Sequence, residues 1–218
     1  MMKSATLLIV LLLTLGLSAK HPQPVPAGVS LDPRAWDVRY SSGMPSHPSA
    51  LVGMAGWWLP FPSATGSLNY LTVPYTTPIA QGKTVSASVQ IVVTSGEPDF
   101  VPLYPCQAGE DAAVRLYLEQ KAPKHAPDAT YAGPTYRWWS NPVRLVLAPG
   151  AAIMSAVVQP DQWSDADGHF ATDALSGFAD ALAHPAAVGF TFGSCFFGHG
   201  VDVLNGSARF ILTSYTIQ

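Results

Sequence analysis

The sequence predicts an all-β fold, a two-sheet antiparallel jelly-roll-like sandwich with one short helix. Three observations carry that expectation. Apolar and polar residues alternate with period two in several segments, the pattern of a strand with one buried face. Turn residues separate those segments, with 18 Gly and 20 Pro among 218 residues. Only residues 172–184 show apolar residues at helical spacing, so there is no alternation of strand and helix of the parallel-sheet kind.

Residues 1–19 read as a signal peptide. Lys3 is the basic start, LLIVLLLTLGL at 7–17 is the apolar stretch, and Ser18-Ala19 offers small residues for cleavage. The stretch is shorter than the ~20 residues that span a bilayer. An uncleaved anchor is the alternative, because Leu17 stands where a smaller residue is preferred. Residues 20–34, rich in proline, read as an arm or linker, and 35–218 as the sandwich domain.

Within the domain, residues 36–40, 56–62 and 68–75 are short aromatic-rich strands stopped by turn residues. Residues 84–94 give the clearest pattern: Val85, Ala87, Val89, Ile91 and Val93 on one side, Ser86, Ser88, Gln90 and Thr94 on the other. Residues 95–109 read as a loop. Residues 112–120 place Val114, Leu116 and Leu118 inward and Arg115, Tyr117 and Glu119 outward, and a helix is the competing assignment. Asn141-Pro142 separates strands at 135–140 and 143–148, and 152–159 is a further strand. In the helix, Leu175, Phe178, Ala179 and Leu182 form one face, Thr172 is the expected N-cap and Pro185 the stop. The chain ends with a short strand at 189–193, a glycine-punctuated loop holding Cys195 and His199, and a long alternating strand at 208–217.

Composition narrows the function. Charged residues are only 11 % and the net charge is −3, with no Lys/Arg cluster, which argues against a nucleic-acid partner. After signal cleavage no membrane span is expected, so the localisation is secreted, periplasmic or extracellular. Cys106 and Cys195 are the two cysteines, and in an exported chain the pair reads as a disulfide; two buried free thiols are the alternative. The histidines have no metal-ligand spacing, and no metal site is expected.

Two tryptophan doublets, Trp57-Trp58 and Trp138-Trp139, carry the main functional signal. Neighbours on a strand point to opposite faces, so one indole of each pair must leave the main core. An outward ring either stacks on a sugar or lies under a loop. His199, between Gly198 and Gly200, suits a ligand contact, a proton-transfer role or a plain loop hydrogen bond. Asp165-Ala166-Asp167-Gly168 has the oxygen spacing of half a calcium loop and equally that of turn acids. No nucleophile elbow is present, and Glu97 with Asp99 is the best carboxylate pair available to a hydrolase.

The order Tyr136-Arg137-Trp138-Trp139, Trp163 with Gly168, Phe178, Val188-Gly189-Phe190 and a final strand Ala208-Arg209-Phe210 resembles jelly-roll carbohydrate-binding modules over roughly residues 50–217. The resemblance implies a sandwich, exposed aromatics that stack on sugars, and often a structural calcium ion. The leading expectation is a non-catalytic protein that binds a poly- or oligosaccharide, without cofactor. Trp58, Trp138 and Trp139 are the stacking candidates; Arg137, His199 and Asp202 are the polar ones. A glycan hydrolase or lyase centred on His199 with Asp99 or Glu97, and a structural surface protein without a small ligand, are the alternatives.

Overall fold

The computed structural model describes residues 28–63, 65–129, 132–195 and 198–218. The predicted signal peptide and the first residues of the arm lie outside them. Among the described residues eleven strands form: β1 (Asp37–Arg39), β2 (Ser49–Ala50), β3 (Trp57–Pro60), β4 (Tyr70–Pro74), β5 (Thr84–Pro102), β6 (Ala113–Gln120), β7 (Arg137–Val146), β8 (Gly150–Val157), β9 (Trp163–Ser164), β10 (Pro185–Gly193) and β11 (Val201–Ile217). Between β9 and β10 lies a single α-helix, α1 (Leu175–Ala183).

The strands build two antiparallel sheets packed face to face. One has six strands in the order β1-β4-β10-β6-β7-β9; the other has five in the order β2-β3-β11-β5-β8. The predicted β-sandwich is therefore the fold. Its core is aromatic. Trp36 packs against Trp57 at 4.9 Å and Phe190 at 5.9 Å between ring centroids, and Phe210 meets Phe190 at 5.4 Å and Phe192 at 5.3 Å. Val29 is also buried, so the end of the proline-rich segment packs into the domain.

Three elements depart from expectation. β5 runs on through residues 95–102 instead of stopping at a loop. Gly96, at φ +61, lies against Gly206, where a Cβ on either glycine would strike the opposite backbone, so the pair lets both strands bend and stay paired. β7 is continuous through Asn141-Pro142. The pairing with β6 shifts register there, and the Ser140 hydroxyl takes over, accepting from the Leu116 amide at 3.0 Å and donating to the Val143 carbonyl at 2.7 Å. α1 starts at Leu175 with Ala174 as its cap, not Thr172. Its buried residues are Phe178, Ala181 and Leu182, while Leu175 is 57 % exposed, because the stripe that meets Trp138 and β6 is rotated from the one expected.

Candidate functional site

The two sheets differ in what they present outward. On the five-stranded sheet the outer face of β5 and β8 is Ser86, Ser88, Gln90, Ile153 and Ser155, open to solvent and small. On the six-stranded sheet the outward side chains are large, polar and mostly covered. Every residue of β6 is buried, on both faces. Arg115, Tyr117 and Glu119 thus point outward as expected, yet away from water.

Register shows which side chains share that face, because directly paired residues project the same way. One row is Arg39, Tyr70, Thr191, Arg115 and Arg144. The next is Asp37, Thr72, Gly189, Tyr117, Trp139 and Ser164. A third holds Ala187, Glu119 and Arg137. Four arginines therefore stand on one sheet face. A side chain at Gly189 is excluded, since its Cβ would run into the Leu71 carbonyl.

At one end of the face a hydrogen-bonded network surrounds Glu119. Arg39 Nη1 donates to both carboxylate oxygens at 3.1 and 2.9 Å, and the Tyr117 hydroxyl donates to Oε2 at 2.8 Å. Arg39 Nη2 donates to the Tyr40 hydroxyl at 3.0 Å, which donates to Asp128 Oδ2 at 2.8 Å. Arg137 lies over the Trp139 ring at 5.5 Å, a cation–π contact. Burial pushes the Tyr70 phenol up to about 12, against the pull of the nearby Arg137 charge, and burial lifts Tyr117 well above its ordinary value, with Glu119 adding to it. Both phenols stay protonated at neutral pH; Tyr117 donates to Glu119, while Tyr70 accepts from Arg137.

At the other end the loop after β10 folds back over the sheet. Gly198 lies so close to β10 that a Cβ there would sit 2.7 Å from the Thr191 Cβ. Arg115 Nη1 donates to the Ser194 carbonyl at 3.3 Å. The Cys106–Cys195 disulfide anchors this loop, closing a separation of 89 residues. Glu110 accepts from the Cys106 amide at 2.9 Å. Glu110 and the two sulfurs lie together, but sulfurs joined in a disulfide have no thiolate to offer a metal.

The expected site residues are placed as follows. Trp138 and Trp139 do fall on opposite faces of β7, but both rings are fully buried. Trp138 packs on Phe178 at 4.9 Å in the main core, and Trp139 packs on Tyr117 at 5.5 Å on the outer face beside Tyr70. Neither is exposed for stacking, because the outward ring is covered. Trp58 alone of the six indoles is not buried, and Arg209 occupies one side of it, 4.0 Å from the ring centre. Arg137 faces Glu119 near the start of β10, whereas His199 follows its far end, where the Gly200 amide bonds the Phe192 carbonyl. The fold thus keeps them apart. His199 sits edge-on to Tyr104 at 5.9 Å, and burial lowers its pKa. Asp202 is buried with Oδ1 unpartnered, and burial raises its pKa.

Glu97 and Asp99 are exposed on the bent end of β5, and Asp99 accepts from the Asn205 amide at 2.6 Å. Asp165 Oδ1 accepts from the Asp167 and His169 amides, both at 3.0 Å, which is the geometry of a turn acid. Arg39, Tyr70, Arg115, Tyr117, Glu119, Arg144 and Thr191 were not among the expected site residues. The available signal was the size of the polar half of the alternation at 113–120: Arg, Tyr and Glu where residues 84–90 have Ser and Gln.

No protein-family model matches this chain, and no curated protein sequence matches it. Among the described residues no helix is long and apolar enough to cross a membrane.

Proposed function

We propose that the protein is a secreted, non-catalytic carbohydrate-binding sandwich that holds its saccharide against the outer face of the six-stranded sheet. The contrast between the two outer faces carries this reading. Across β5 and β8 one sheet faces water with Ser86, Ser88, Gln90 and Ile153, with Arg209 beside Trp58 further along; the other gathers four arginines, two tyrosines and Glu119. Guanidinium groups recognise hydroxyl and carboxylate oxygens through paired donors, and protonated phenols extend the donor set. Tyr40, 46 % exposed, and Arg39 form an open rim beside this face where a sugar would first engage.

Two features favour binding over chemistry. The tyrosines beside Glu119 are held protonated, which suits donors and not bases. His199 and Arg137, two of the polar candidates that a catalytic cleft would bring together with a carboxylate, sit at opposite ends of the sheet. Secretion is supported by the apolar stretch at 7–17 and by a disulfide of the kind formed in oxidising compartments.

The test is a glycan-array screen of the mature chain with Arg137→Ala and Tyr40→Ala beside it. Binding to a defined saccharide class, weakened in both variants, is the expected result. Silence across plant, algal and bacterial polysaccharides would remove the reading.

A further inference from the structure

Arg115 and Arg144 are direct cross-strand partners on β6 and β7. Like charges in that position repel and ordinarily destabilise a sheet. Here the arrangement is more unfavourable still, because Arg115 is only 5 % exposed. Its Nε has no hydrogen-bond partner, and neither has the Oγ1 of Thr191, the buried cross-strand neighbour on its other side. Among the described residues, no carboxylate lies within 4.0 Å of either guanidinium, and the ion pairs of the domain lie elsewhere. Glu110 is near enough for its charge to act on both Arg115 and Arg144, but it makes no ion pair with either and accepts from the Cys106 amide instead. Burial first, and then the Arg144 charge, pull the Arg115 pKa down to about 10. The bond from Arg115 Nη1 to the Ser194 carbonyl satisfies only part of this buried cation, which still faces a second one.

We infer that Arg144, with Arg115 beside it, forms a subsite for an anionic substituent, a carboxylate or a sulfate ester, on the saccharide. The inference rests on the saccharide-binding reading and specifies its ligand as an acidic glycan. Arg144 is exposed and supplies the first contact. An anion seated against it is shared with Arg115 across the strand pair, which turns the repulsion into attraction on both sides. The exposed Arg144 fork matches paired acceptor oxygens of either anion, and the Arg115 charge beside it adds to the attraction.

The experiment follows thermal unfolding of the mature protein in sodium sulfate and in sodium glucuronate, each against sodium chloride at equal ionic strength. Arg144→Gln and Arg144→Glu are compared with wild type, and Arg209→Gln, an exposed arginine on the other sheet, is the control. At roughly ten times the dissociation constant, a bound anion should raise the wild-type midpoint by roughly 3 °C. That rise should persist in Arg209→Gln and vanish in both Arg144 variants. Arg144→Glu should also unfold higher than wild type in chloride, since it replaces the cross-strand repulsion with an ion pair to Arg115. The anion giving the larger rise separates a uronate from a sulfated glycan. No rise in wild type with either anion, or an equal rise in the Arg144 variants, overturns the subsite.

A parallel arm measures binding of a uronate oligosaccharide, a sulfated one and the carboxyl-reduced form of the first. If wild type binds a saccharide and Arg144→Gln keeps the same preference for the acidic forms, the subsite falls and the saccharide reading stands. If the anion effect depends on Arg144 but no saccharide binds, the subsite stands and the saccharide reading falls.

Discussion

Arg39 and Glu119, 80 positions apart in the chain, are joined through one guanidinium nitrogen to both carboxylate oxygens. The pair ties edge strand β1 to β6 across the two strands between them. On β10, which lies between, the outward residues beside Glu119 and Tyr117 are Ala187 and Gly189, too small to block the reach. Both charged side chains are largely withdrawn from water. Removing one partner strands the other, so Glu119→Ala should lower stability by about 3 kcal/mol. Replacing both, as Arg39→Met with Glu119→Leu, should lose much less. Urea unfolding of the three proteins checks the ordering; an additive double variant would show that the pair does not act as a unit.

Asp202 offers a pH test. Its folded-state pKa is raised by burial, so the native state favours the neutral acid. The group therefore supports folding below its unfolded pKa of about 3.9, and that support is lost as pH rises through the raised native value. Asp202→Asn should be more stable than wild type at pH 7, and the two urea midpoints should converge near pH 3. A constant difference across that range would mean that the carboxyl is ionised without penalty.

Tryptophan quenching reads the burial pattern. Trp36, Trp57, Trp138, Trp139 and Trp163 are at most 1 % exposed, which leaves Trp58 as the indole within reach of solvent. Acrylamide should quench one emitting class out of two, and Trp58→Phe should abolish that class. Arg209→Ala should make Trp58 more quenchable at little cost in stability, about 0.5–1 kcal/mol.

Reduction of Cys106–Cys195 should lower the unfolding free energy. Its 89-residue separation corresponds to about 4 kcal/mol in the chain-entropy model. Midpoints in urea with and without a thiol reductant measure it, and an unchanged midpoint would show that the unfolded chain gains no freedom from reduction.

Strand positions were legible because period-two alternation survives wherever one face is buried, as at Val85, Ala87, Val89 and Ile91. What sequence could not convey was how the outer faces are used. Alternation says that Trp139 leaves the main core, and it does, but not that Tyr70 and Tyr117 lie beside it on a covered surface. That depends on strand order, since β4 and β6 become neighbours of β10 only in the folded sheet. The arginine row was hidden for the same reason: Arg39, Arg115 and Arg144 are separated in sequence and meet by register alone. Helix α1 shows a smaller limit. Helical spacing located it, but the rotation that buries Ala181 instead of Leu175 is set by the surface it meets.

β11, the most C-terminal of the eleven strands, occupies the middle of its sheet, with β3 on one side and β5 on the other. Neither neighbour finds this partner until residues 201–217 are in place, so this sheet cannot close by local hairpins alone and its assembly waits on pairings far apart in the chain.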